Sequence, residues 1–133
     1  MEKAGRTVLL LVEDDNDMRS LLCDELWDLN LGIVEAKDGD EALQHASDQH
    51  PDLILTDLRM PAGGLDYISR LQVIAPGCPI ILMTAFGDSQ TRAAALNAGV
   101  SYYFDKPVRM KELKNAIKTL IDRHNTPNPP HAS

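Results

Sequence analysis

The run Leu53-Ile54-Leu55-Thr56-Asp57-Leu58-Arg59-Met60-Pro61 limits the fold more than any other stretch of the chain. Four residues of β-type apolar sequence stop at a carboxylate, and a proline follows shortly after. An apolar run without polar alternation is the pattern of a strand covered on both faces. Its last residue then stands at the rim of a sheet, with one acid turned into the open. Taken alone, Asp57 could equally be the N-cap of the helix that follows. Where the other acids, a hydroxyl and a lysine fall decides between the two.

Four further runs of strand character flank this one. Residues 8–12 (Val-Leu-Leu-Leu-Val) end at Glu13-Asp14-Asp15, and residues 33–36 form a shorter, half-polar run. Residues 80–83 (Ile-Ile-Leu-Met) end at Thr84, and residues 102–104 (Tyr-Tyr-Phe) end at Asp105-Lys106-Pro107. Helical spacing fills the intervals. Met18, Leu21, Leu22, Leu26 and Leu29 share one face, with Gly32 as the expected stop. Residues 38–49 form a second helix closed by His50-Pro51, and Leu65, Ile68 and Leu71 mark a third. Residues 88–97 are alanine-rich with a thin apolar stripe, and Leu113, Ala116, Ile117, Leu120 and Ile121 mark the last helix. Five strands alternating with five helices predict a three-layer α/β domain around a parallel sheet. The uniformly apolar first, third and fourth strands belong in its centre, and the mixed second and fifth at its edges. The flavodoxin-like doubly wound (βα)5 order 2-1-3-4-5 satisfies this together with right-handed crossovers.

The chain of 133 residues is expected to form one domain, over residues 6–124, with the polar, proline-rich residues 125–133 as a disordered tail or the start of a linker. A net charge of −7 argues against nucleic acid as a direct partner. No apolar run approaches the length of a membrane span, and no export signal follows Met1, so a cytoplasmic protein with reduced thiols at Cys23 and Cys78 is expected. The four histidines form no ligand spacing and read as surface residues.

In the proposed order, the carboxyl ends of four neighbouring strands carry Glu13 and Asp14, Asp57, Thr84 and Lys106. Ligands of such sheets bind at this edge, where the winding reverses between strands 1 and 3. Each residue has a structural alternative: Asp14 or Asp15 as a helix cap, Thr84 bonded to its own backbone, Lys106 solvated. Their coincidence at one rim favours a site. Three carboxylates there repel, by about 4 kcal/mol for a pair at 4 Å and an effective dielectric near 20. Either one is protonated or a cation sits among them. Oxygen-only ligands select a hard ion, Mg²⁺ or Mn²⁺, which completes its shell with water and a phosphoryl oxygen. Lys106 and the Thr84 hydroxyl would then contact that phosphoryl group, and Asp57 between them is the natural nucleophile.

With these motifs in place the chain resembles the receiver domain of two-component response regulators. Leu11 to Asp15, Leu55 to Pro61, Met83 to Ala85 and Asp105 to Pro107 carry the resemblance, in order, across nearly the whole domain. It implies that Asp57 accepts a phosphoryl group from a sensor histidine kinase or phosphotransfer protein. It implies also that Glu13, Asp14, Asp57 and the Arg59 backbone carbonyl hold the metal. Thr84 and Tyr103 would be the switch pair, Lys106 the phosphoryl partner, and Lys106–Pro107 a cis bond. Two departures stand out. Glu13 replaces the more usual Asp, and the Ala62-Gly63-Gly64 loop is short, which predicts local rearrangement at the metal edge. Arg59 and Phe86 flank the site with large side chains, which suggests a long-lived phosphoryl group.

The expected output is a switch and not an enzyme, beyond self-phosphorylation and slow autodephosphorylation. Two charge-assisted contacts at roughly 1.5–3 kcal/mol each approach the 5.5 kcal/mol or so that moves a population from 1:99 to 99:1. The alanine-rich helix, the fifth strand and the last helix form the expected readout face, toward a downstream protein or a further output domain. Dimerisation on phosphorylation is compatible with this. A flavin-binding reading fails on the acids after the first strand, which would repel a phosphate. A phosphohydrolase would need a second carboxylate where Arg59 stands.

Overall fold

The structure is a computed structural model and describes residues 6–85 and 87–125. Its elements run β1 (Thr7–Val12), α1 (Asn16–Glu25), β2 (Leu31–Ala36), α2 (Gly39–Gln49), β3 (Leu53–Asp57), α3 (Leu65–Ile74), β4 (Ile80–Thr84), α4 (Ser89–Asn97), β5 (Tyr102–Asp105) and α5 (Met110–Asn125), with a short 3-10 turn at Trp27–Leu29. All strand pairings are parallel, in the order β2-β1-β3-β4-β5. The doubly wound order and the edge positions of β2 and β5 are those expected from strand composition.

Because side chains alternate along a strand, each central strand feeds two cores. Leu9, Leu11, Leu53, Leu55, Ile81 and Met83 face Leu22 of α1, Leu26 just after it, and Leu113, Ile117 and Leu120 of α5. Leu10, Val12, Ile54 and Leu82 face Ala42 and Ala46 of α2, Ile68 and Leu71 of α3 and Ala95 of α4. β3 and β4 are buried along their whole length, as two covered faces require. α4 buries one small side chain, Ala95, where α1 buries Leu22 and α5 buries Leu113, Ile117 and Leu120, so α4 is the helix with the least apolar anchoring.

Three helices start at aspartates that end a loop. Asp15, Asp38 and Asp88 accept hydrogen bonds from the backbone N–H groups of Met18, Glu41 and Thr91. One expected stop is corrected. Gly32 lies inside β2, paired with Val8, and the turn before it is made by Asn30 in the left-handed region (φ 56°). Asparagine tolerates that conformation nearly as well as glycine, so composition alone misplaced the break. The tail expected over residues 125–133 lies outside the described residues, apart from Asn125 at the end of α5.

Candidate functional site

Strand register brings the polar residues to one rim. Val12 pairs with Thr56, so Glu13 emerges beside Asp57. Asp57 pairs with Met83 and Thr84 pairs with Asp105, so Thr84 and Lys106 each stand one residue beyond their neighbour. The Lys106 ammonium reaches back across β4 and donates to Glu13 Oε1 at 2.7 Å and to Asp57 Oδ2 at 3.0 Å. Carboxylate oxygens of Glu13, Asp14 and Asp57 all lie within 4.8 Å of one another. Glu13 and Asp57 are buried, whereas Asp14 is exposed at the mouth.

The backbone fixes the acids. Asp57 Oδ1 accepts from the Arg59 N–H at 3.1 Å, and Glu13 Oε2 accepts from the Asp15 N–H at 3.1 Å. Behind the nucleophile position, the Thr56 hydroxyl donates to the Asp57 carbonyl at 2.8 Å and lies 2.9 Å from the Tyr67 hydroxyl. The loop carrying Arg59 turns back sharply. Gly63 and Gly64 donate to the carbonyls of Met60 and Leu58, and Gly39 at the start of α2 donates to the Pro61 carbonyl at 3.0 Å. Ala62 (φ 58°) and Gly64 (φ 95°) take left-handed or extended positive-φ conformations to make this turn. The short loop is therefore clamped onto α2.

Burial raises the Glu13 carboxyl above its ordinary value, against the Lys106 and Asp15 hydrogen bonds. For Lys106 burial is also the largest influence and lowers its pKa, but the hydrogen bonds to Glu13 and Asp57 together outweigh it and the net direction is upward. The ammonium is the better compensated group, facing two carboxylates, so we take Lys106 as charged and Glu13 as the member under strain from burial.

The remaining residues named from sequence lie as follows. Thr84 is fully buried at the end of β4; its hydroxyl donates to the Ala85 carbonyl at 3.1 Å, so it is bonded to its own loop and not to Asp57. Tyr103 is buried, with its ring turned toward Thr84 and Gly87. The Arg59 side chain is exposed beside the pocket, the Lys106–Pro107 bond is cis, and Phe86 lies outside the described residues. An open cavity of about 480 Å³ lined by Gln72, Cys78, Ser101 and Arg123 sits at the opposite, amino end of β4 and β5, remote from the acids.

Arg19 was not singled out from the sequence. Its guanidinium donates to the Glu13 carbonyl at 2.7 Å and pairs with Glu35 at 3.1 Å, tying α1 and β2 to the acidic strand end. The one available signal was its place one turn beyond the Asp15 cap, on the face directed at the rim.

A family model for the response regulator receiver domain matches residues 9–118. The phosphate regulon transcriptional regulatory protein PhoB of Klebsiella pneumoniae is 35% identical over 118 residues, covering 86% of this chain and 52% of that protein. The transcriptional regulatory protein ResD of Bacillus subtilis is 36% identical over 125 residues, covering 92% of this chain and 51% of that protein. The chain therefore spans about half the length of these curated relatives. Among solved structures, the signal receiver domain of an HD domain-containing protein from Pseudomonas fluorescens superposes with a TM-score of 0.83 at 26% identity, over 90% of this chain and 97% of that one.

Proposed function

The chain belongs to the response regulator receiver domain family of two-component signalling, and from that premise we propose that it is a switch operated by phosphorylation of Asp57. The observation that carries this reading is the pocket itself: an ammonium bridging two buried acids, with a third acid within 4.8 Å at the open side. An aspartate used only as a helix cap has no need of a half-buried lysine reaching it from beyond another strand.

The donor set fits a hard divalent ion. Three carboxylates and the Arg59 carbonyl are all oxygen ligands, which suits Mg²⁺ or Mn²⁺ and not a soft metal. Such an ion, when bound, would offset the charge of the transferring phosphoryl oxygens. The side chains do the rest. In the transfer, the phosphorus–nitrogen bond of a phosphohistidine on a sensor kinase or phosphotransfer protein breaks and a phosphorus–oxygen bond to Asp57 forms. The leaving imidazole keeps the bonding electron pair. Lys106 exchanges its hydrogen bond to Asp57 for one to the new phosphoryl oxygens, and the Thr84 hydroxyl leaves the Ala85 carbonyl to donate to the same group. That movement alters the wall against which Tyr103 packs and biases α4, the least anchored helix. The readout face is then α4, β5 and α5, offered to a downstream protein, to an output domain or to a second copy of the chain. Arg59 beside the pocket restricts approach of hydrolytic water, so the phosphoryl group turns over slowly and the protein acts on no other substrate. No described helix is long and apolar enough to cross a membrane.

Manganese titrated into the ¹⁵N-labelled protein should broaden the amides of residues 13–15 and 57–59 first, and Asp14→Asn should remove the effect. Subsequent acetyl phosphate should shift amides in α4 and β5. Broadening centred elsewhere contradicts the metal site, and shifts confined to the acidic crevice contradict the readout face. Multiple turnover of p-nitrophenyl phosphate would instead indicate a phosphohydrolase.

A further inference from the structure

Tyr103 is seated inward, and the reason lies in two residues outside the acidic pocket. Its hydroxyl is buried and has no hydrogen-bond partner among the described residues. The space it fills exists because residue 87 has no side chain. A Cβ built on Gly87 would overlap the Tyr103 hydroxyl and come within 2.9 Å of Thr84 Cγ2, closer than real Cβ atoms approach. Gly87 is not among the glycines with positive φ, so its backbone does not require glycine; the space does. On the outer side, the Arg92 guanidinium of α4 lies 5.1 Å from the Tyr103 ring centroid and 3.9 Å from Asp105 Oδ2. A cation at that distance over a ring face is attracted to it.

We propose that Gly87 and Arg92 are positioning residues for Tyr103: Gly87 supplies the volume its hydroxyl occupies, and Arg92 closes over its ring and ties α4 to β5. Any side chain at position 87 expels the tyrosine, and loss of the guanidinium loosens it. The seat is only weakly held, because a buried hydroxyl without a partner gains nothing from being there. A small rearrangement of Thr84 is then enough to change its occupancy. This inference rests on the reading of Thr84 and Tyr103 as the relay from Asp57, but the seating itself can be measured without phosphate.

The test uses the full chain labelled with 3-fluorotyrosine, whose three ¹⁹F lines (Tyr67, Tyr102, Tyr103) are assigned with Phe variants. In the unphosphorylated protein the Tyr103 line should show the small H₂O/D₂O isotope shift of a buried ring, like Tyr67. Gly87→Ala should give Tyr103 the full shift of an exposed tyrosine while Tyr67 keeps its own. Arg92→Gln should broaden or partly shift the line, and Arg92→Lys, which keeps a cation, should restore it in part. Gly87→Ala should also lower the urea midpoint in the wild-type background and less in Tyr103→Phe, where the overlapping oxygen is gone and only the close approach to Thr84 Cγ2 remains. An exposed Tyr103 line in the wild type, a protected one in Gly87→Ala, or equal losses of stability in both backgrounds would overturn the proposal. Mass gain from acetyl phosphate should persist in Gly87→Ala. Its failure in the wild type would sink the phosphoacceptor reading and leave the ¹⁹F result standing.

Discussion

Lys106→Met keeps most of the side-chain stem and removes the ammonium that bridges Glu13 and Asp57. With oxygens up to 4.8 Å apart, the two acids then repel by about 3.5 kcal/mol at an effective dielectric near 20. In the wild type that repulsion is offset by attractions acting over 2.7 and 3.0 Å. Protonation sets a ceiling on the loss. Carrying a proton at pH 7 on an acid with an ordinary value of 4.5 costs about 3.4 kcal/mol, at 1.36 kcal/mol per pH unit. The two routes cost nearly the same, so the variant should lose about 3 kcal/mol in EDTA at low salt, or roughly 10 °C in Tm for a domain of this size. Trp27, the only tryptophan, is 82% exposed, so unfolding is best followed by circular dichroism. Excess Mg²⁺ should then stabilise Lys106→Met more than the wild type and narrow the gap, since the ion takes over the role of the missing charge. A variant as stable as the wild type in EDTA, or a gap that widens with Mg²⁺, would refute the claim that Lys106 compensates the acids.

Other outcomes follow from the same geometry. The Cys23 thiol is pushed up to about 11, first by burial and then by Glu35. Its alkylation rate should therefore rise with an inflection near that pH. Since the folded value lies above the ordinary 9.0, the native state holds the proton more tightly, and this contribution to stability is lost as pH climbs from 9.0 to about 11. An inflection near the ordinary value would contradict it. Gly39→Ala would gain up to about 1 kcal/mol from helix propensity, but its Cβ would overlap the Ala62 carbonyl. Backbone crowding should win, with a net loss of about 1–3 kcal/mol in urea unfolding. Tyr67→Phe removes the hydroxyl beside Thr56, which keeps its bond to the Asp57 carbonyl, so the loss should stay near 1 kcal/mol.

Most of the architecture was legible because burial on both faces leaves a direct mark in sequence. Uniform apolar runs at β1, β3 and β4 could only be central strands, and the strand ends then listed the pocket in order. The boundary at Asn30 was not legible, because an asparagine in the left-handed region gives no signal as strong as the glycine two residues later. Proximity of Lys106 to Asp57 could be argued from strand order. The hydrogen bond of Thr84 to Ala85 could not, since a hydroxyl at a strand end can turn to its own backbone or across the pocket with similar ease. The seating of Tyr103 depends on one absent side chain at position 87 and one guanidinium from α4. Both are contacts between elements that no periodicity encodes.

The most direct test is the intact mass of the protein after acetyl or carbamoyl phosphate, with Mg²⁺ and with EDTA, in parallel with Asp57→Asn. The wild type should gain one phosphoryl group only when the metal is present, and Asp57→Asn none under either condition. A wild type that gains nothing, or an Asp57→Asn variant that gains as much, would contradict the assignment of Asp57 as the phosphoacceptor.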